Sequence, residues 1–297
     1  MIWSNKFKGS ALALLATISF SNIYIFSKLA MKDVSLASFG MLWFAFAFFY
    51  NFLYYYFFTE RKKIDTLANK SKFILFVIGC SEVISMTAFF FSIKLTENPA
   101  VVSFLANTSP IFVIFIGFVF LKIRYNLLAV AGIVVTLGGV ALINYHNSLD
   151  WASFASPASI AALVFALFYG VSLVLARSEI KTIPSSLITV VRSLFLFLGF
   201  GLYNLLTFEL PHYTASSLFY ISIGSILGPF LGVTLTFASL KYVDASITTL
   251  ICTLRSFFIV LGAFLFMNIL PTGNQLLGGI FIIFGIVLIT VGDIRNK

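Results

Sequence analysis

Apolar windows of about 20 residues follow one another along the whole chain, each long enough to cross a hydrocarbon core of about 30 Å as a helix. Of 297 residues, 60% are hydrophobic and only 10% charged, which leaves too few polar side chains to solvate a water-soluble domain. The chain reads as an all-α integral membrane protein. Ten transmembrane helices are expected, at 9–31, 36–58, 72–94, 98–121, 126–145, 155–178, 184–207, 215–240, 245–268 and 274–293. Asn98 before Pro99 and Ser156 before Pro157 have the pattern of an N-cap followed by proline at the first helical position. The first apolar run is too long for a cleaved signal peptide, and no small-residue cleavage site follows it. Cys80 and Cys252 fall inside expected spans and read as packing residues.

Shifted by 147 residues against itself, the chain places Thr87, Phe90, Ser92, Lys94, Ser109, Gly132 and Gly138 on Thr234, Phe237, Ser239, Lys241, Ser256, Gly279 and Gly285, with no gap. The two halves, 1–148 and 149–297, form one transmembrane domain of two five-helix repeats. Five is odd, so the second half enters the bilayer from the opposite side and the repeats are inverted. Charge supports the same topology. With both termini cytoplasmic, 14 of the 19 cations lie on the inner side, Lys28, Lys32 and Lys94 on the outer side, and Arg192 and Arg255 within spans. This pattern accounts for the net charge of +9 without a nucleic-acid partner. An inverted repeat offers two related packings, one open to each side of the membrane, which is the basis of alternating access. The alternative is a duplication that only builds a stable bundle.

Residues 238–246, Ala-Ser-Leu-Lys-Tyr-Val-Asp-Ala-Ser, are followed by Gln275-Leu276-Leu277-Gly278-Gly279 and Gly285. In this order and spacing they resemble the drug/metabolite transporter superfamily, in particular its EamA-like family, over nearly the whole chain. Ten helices in two inverted repeats and Lys28 near the end of the first span fit that resemblance. The chain departs from it in two places. Lys122-Ile123 and Asn268-Ile269 stand where the family has a Gly-Glu pair, and the repeat mate of Pro110 is Phe257.

Charges in the middle of a bilayer cost about 2.5–3.5 kcal/mol each on insertion scales, so those present are paired or face water. Glu82 lies at the centre of the third span, Arg255 at the centre of the ninth, and Arg192 a few residues from the centre of the seventh. The resemblance implies a central cavity lined by the first, third, fourth, sixth, eighth and ninth spans, which places Glu82 and Arg255 on it and Arg192 more peripherally. At the same depth lie Asn22, Tyr24, Asn107, Thr108, Tyr169 and Thr234. Thr248, Cys252, Arg255 and Ser256 form a polar stripe on the ninth span. Arg255 matches a carboxylate or phosphate, and Glu82 accepts from an ammonium or exchanges a proton. Together they suit a zwitterion or, alternatively, form a structural ion pair. Asn107 and Thr108 serve either a substrate or a helix–helix hydrogen bond. Pro110 and the Gly228-Pro229 pair interrupt the fourth and eighth helices as hinges, backbone ligands or static kinks.

The expected function is secondary transport of small polar metabolites across the cytoplasmic membrane, with amino acids or related compounds foremost, efflux favoured by the resemblance, and proton coupling through Glu82. Phosphorylated, nucleotide-like or sulfonium metabolites are alternative cargoes, and a non-transporting scaffold or receptor is an alternative function. No Walker-type loop, catalytic constellation, cofactor motif or metal-ligand spacing is present in the sequence, and His146 and His212 stand alone in loops. The 37 phenylalanines read as lipid-facing and packing residues. Nothing in the sequence specifies an oligomer.

Overall fold

The computed structural model describes residues 2–58, 67–95, 105–122, 125–143, 156–207, 212–258, 261 and 272–295. Side chains of a few helical residues, Tyr24 and Lys28 among them, lie outside the description, as does the Asn98-Pro99 junction. Among the described residues the secondary structure is entirely helical, and helical segments occupy each of the ten expected spans.

These segments are α1 (Ile2–Ser21), α2 (Ile23–Ala30), α3 (Leu36–Phe58), α4 (Asn69–Leu95), α5 (Ser109–Leu121), α6 (Leu127–Ile143), α7 (Pro157–Glu179) and α8 (Ser185–Thr207). They continue with α9 (Ala215–Ser225), a π-helical segment (Ile226–Gly232), α10 (Val233–Ser239), α11 (Ala245–Cys252) and α12 (Gly273–Arg295). Among the described residues, five stretches are long and apolar enough to cross a membrane: Leu36–Phe58, Asn69–Ser92, Pro157–Glu179, Ser185–Thr207 and Ala215–Ser239.

Helix starts follow local chemistry. Ser156 Oγ accepts the Ser159 amide at 3.2 Å, so it caps α7 with Pro157 at the first helical position, as its sequence implies. Asn126 caps α6 in the same way at 2.8 Å. Thr214 and Ser217 form a reciprocal capping box at the start of α9. Just before it, the Tyr213 hydroxyl donates to the Ser38 carbonyl at 3.0 Å, and burial pushes its phenol above the usual value, which keeps it a donor. Lys122 ends α5 in the left-handed region at φ 54°, where glycine is the unstrained choice; this is a position at which the resembling family carries glycine.

Packing divides the chain into two compact units, Met1–Val83 with Leu175–Tyr242, and Ile84–Val174 with Val243–Lys297. Each unit draws on both halves of the sequence and contains repeat-equivalent helices. In the first unit α3 packs on α8: Ser38 Oγ donates to Asn204 Oδ1 at 2.9 Å, Gly40 lies under the Phe200 ring, and Asn51 Nδ2 donates to Ser193 Oγ at 3.0 Å. As numbers rise along α3 they fall along α8, so these repeat mates are antiparallel. In the second unit α6 packs on α12. A Cβ built on Gly132 would lie 2.6 Å from the Gly285 carbonyl oxygen, and one on Gly139 would lie 2.6 Å from that of Gly278. This pair is antiparallel too. Equivalent helices that run in opposite directions establish the inversion directly.

The glycines of α6 and α12 permit this approach unequally. A Cβ on Gly285 would collide with Thr136 Oγ1 and the Gly132 carbonyl, whereas its repeat mate Gly138 faces open space. Gly285→Ala is therefore expected to destabilise the protein by about 1–3 kcal/mol through overpacking. Gly138→Ala is expected to be neutral or stabilising by up to about 1 kcal/mol through helix propensity. Thermal unfolding in detergent will show opposite signs for the two mates.

Candidate functional site

In the first unit, Glu82 on α4 and Arg192 on α8 form a buried ion pair. Arg192 Nε donates to Glu82 Oε2 at 2.8 Å, and the two residues are 0% and 3% exposed. Glu82 thus has a cationic partner in Arg192, besides the Arg255 pairing or substrate contact that the sequence suggests. An ionised carboxylate in an apolar span needs a cation that faces it, and α8 delivers Arg192 there. The resemblance favours Arg255 for the cavity, and only tertiary packing shows that Arg192 faces Glu82.

Beside this pair lies an amide-centred network that the sequence reading missed. Asn51, fully buried on α3, donates through Nδ2 to the Ala47 carbonyl (2.8 Å), Ser193 Oγ (3.0 Å) and the Pro229 carbonyl (3.2 Å). Its Oδ1 accepts from Thr234 Oγ1 at 3.1 Å. Ser193 in turn donates to the Thr189 carbonyl at 2.7 Å. The available signal was a lone amide within a 23-residue apolar helix.

The expected interruption at Gly228-Pro229 is a seven-residue π-helical segment. Proline removes one amide donor, and the wider helical turn leaves carbonyls for outside partners. Ser19 Oγ donates to the Leu227 carbonyl, and Asn51 to that of Pro229. Gly228 accommodates Ile23, whose Cδ1 would lie 2.5 Å from an added Cβ. Asn22 marks the break between α1 and α2, and its Nδ2 donates to the Ile18 carbonyl at 3.0 Å. Its repeat mate Tyr169 lies within uninterrupted α7.

In the second unit two breaks occur within two residues of being repeat mates. Thr108 N bonds to the Leu105 carbonyl (3.1 Å) and Ile111 N to the Thr108 carbonyl (2.9 Å). Thr253 N, Leu254 N and Ser256 N bond to the carbonyls of Leu250, Ile251 and Thr253 at 3.1–3.2 Å. Both are tightened turns with i→i+3 bonds. Pro110 stands next to the first and Phe257 next to the second, so proline is not required for the interruption. Each turn is patched by a threonine: Thr108 Oγ1 donates to the Leu105 carbonyl and Thr253 Oγ1 to that of Leu250, both at 2.6 Å.

The two breaks are tied together. Asn107 Nδ2 donates to Ser256 Oγ at 3.1 Å, which unites two residues singled out from sequence. Thr248, Cys252 and Ser256 of the polar stripe are buried, while Arg255, Asn107, Thr108 and Tyr169 are partly exposed. Next to Asn107, Ala106 packs against Phe165, which stacks on Tyr169 (5.6 Å between ring centroids) and meets Phe89 at 4.9 Å.

Interrupted helices, a buried ion pair and antiparallel repeat mates describe a polytopic membrane protein built on an inverted repeat. The chain belongs to the EamA-like transporter family, whose model matches residues 7–145 and 156–291, once in each half. No curated protein matches it. A crystal structure described only as that of a protein is similar over 97% of this chain and 98% of its own, with TM-score 0.77 and 16% identity, which shows a shared fold.

Removing one member of a buried pair leaves the other charge uncompensated, at a cost of about 3–5 kcal/mol. Arg192→Met and Glu82→Met are each expected to lower the thermal midpoint sharply. The double variant is expected to recover most of the loss, so a double-mutant cycle in detergent gives a large coupling.

Proposed function

We propose that this transporter moves small polar metabolites, foremost amino acids or related compounds, outward across the cytoplasmic membrane. The halves 1–148 and 149–297 exchange conformations, with both termini cytoplasmic. The observation that carries this reading is Arg255, a mid-span arginine that is partly exposed although its Nε is buried, next in the chain to Ser256 of the Asn107–Ser256 bond. A charge in mid-span that is not fully buried faces water, not lipid, and arginine's planar donors match a carboxylate. Asn107, Thr108, Ser256 and Tyr169 supply polar contacts around it, and the Phe89–Phe165–Tyr169 surface supplies an apolar wall. Asn22, Tyr24, Glu82 and Thr234 complete the candidate set. Asn22 and Thr234 also donate within the protein, so a substrate that reaches them replaces an existing hydrogen bond.

Glu82 is the proposed coupling carboxylate. Protonation removes its charge and releases Arg192, giving the first unit two electrostatic states that a proton gradient biases. Pro110, Gly228 and Pro229 mark where the fourth and eighth spans bend.

The test is flux in proteoliposomes, after a thermal-shift screen of amino acids, nucleosides and sugar phosphates has identified a ligand. Arg255→Ala is expected to weaken ligand binding by about thirtyfold or more, the loss typical of truncating one partner of a buried charged hydrogen bond. Glu82→Gln is expected to abolish the pH dependence of flux. Unchanged affinity in the first variant removes the assigned site, and unchanged pH dependence in the second removes the coupling.

A further inference from the structure

We infer that Asn51 is a positioning residue that latches the π-helical segment of the eighth span. The inference rests on the reading of Gly228-Pro229 as a hinge. Asn51 Nδ2 carries two hydrogens but has three acceptors within 2.8–3.2 Å: the Ala47 carbonyl, Ser193 Oγ and the Pro229 carbonyl. The longest of the three reaches the π-segment, and the other two lie on the helices α3 and α8, which pack on each other along their length. When the segment moves, both hydrogens still have acceptors on this fixed pair. An ordinary buried hydrogen bond leaves its donor orphaned on release, at about 1–3 kcal/mol; here the donor keeps two acceptors, so release leaves only the Pro229 carbonyl to find another partner.

The site is otherwise built to hold. Asn51 is 0% exposed, so water does not compete for its amide. Its Oδ1 is engaged by Thr234, just beyond the π-segment, so one side chain grips the segment at two points five residues apart. Phe230 packs on Tyr50 and Tyr54 at 6.0 and 6.1 Å between centroids, which sets the segment against the same face of α3. Ser193 directly follows Arg192 on α8, so the acceptor that competes with Pro229 is held next to the ion pair.

Competition gives the latch a signature that a packing residue lacks. Ser193→Ala removes one rival acceptor and commits a hydrogen to Pro229, which tightens the segment. Asn51→Leu and Asn51→Asp both remove the donor, and Asp keeps an acceptor for Thr234. Hydrogen–deuterium exchange on the full-length protein in nanodiscs reads the amides of residues 226–236. Exchange is expected to be on the order of fivefold faster in Asn51→Leu and Asn51→Asp and slower in Ser193→Ala, with residues 36–46 unaffected. Unchanged exchange in both Asn51 variants, or acceleration in Ser193→Ala, overturns the latch. Spin labels at the exposed positions Ser216 and Tyr203 test the hinge separately. A distance distribution that shifts or broadens in Asn51→Asp supports it, while faster exchange with an unchanged distribution keeps the latch and removes the hinge.

Discussion

A membrane-spanning backbone has no water with which to replace a missing hydrogen bond, so every interruption of a helix must be covered by the protein itself. That constraint organises this structure. Asn22 covers the Ile18 carbonyl, Thr108 that of Leu105, and Thr253 that of Leu250, each beside a break in its own span. The π-segment is covered from outside, by Ser19 and Asn51. Polar residues therefore concentrate near the middles of spans partly because the breaks are there.

The interruptions also explain how a duplicated chain becomes asymmetric. The fourth and ninth spans break at nearly equivalent points, with proline beside one and phenylalanine beside the other. The first and eighth spans break where their mates, the sixth and third, run straight. At the mate of Pro229 stands Glu82, in a continuous helix and paired with Arg192. One half thus carries a charge where the other carries a backbone defect, and an amide on α3 touches both the defect and the residue next to the ion pair.

Much of this was legible in the sequence. Where their ends are described, spans followed from hydropathy to within a few residues, apart from the first helix, which begins at Ile2, and the offset of the repeats together with an odd span count gave the inversion that α3–α8 and α6–α12 display. Gly132 and Gly139 share a seven-residue spacing with Gly278 and Gly285, visible in the sequence, and these four lie where α6 and α12 approach closely. The site was legible only in part, because helical periodicity gives the face of a residue but not the identity of the helix it meets. Asn107 and Ser256 do meet. Arg192, which the resemblance places away from the cavity, is buried against Glu82, and Asn51 is a single amide on an apolar helix with no repeat or motif signal. A lone polar side chain in an apolar span serves a substrate, a neighbouring helix or its own backbone, and composition does not separate these uses.

The central claim is that the two halves of the chain enter the membrane in opposite senses. Lys32 and Lys181 are exposed in loops at nearly equivalent repeat positions. Single cysteines at these sites, in a chain with Cys80 and Cys252 replaced, can be probed with a membrane-impermeant maleimide on intact and lysed cells. The account predicts that the Lys32 position is labelled in intact cells and the Lys181 position only after lysis. Labelling of both from the same side would contradict it.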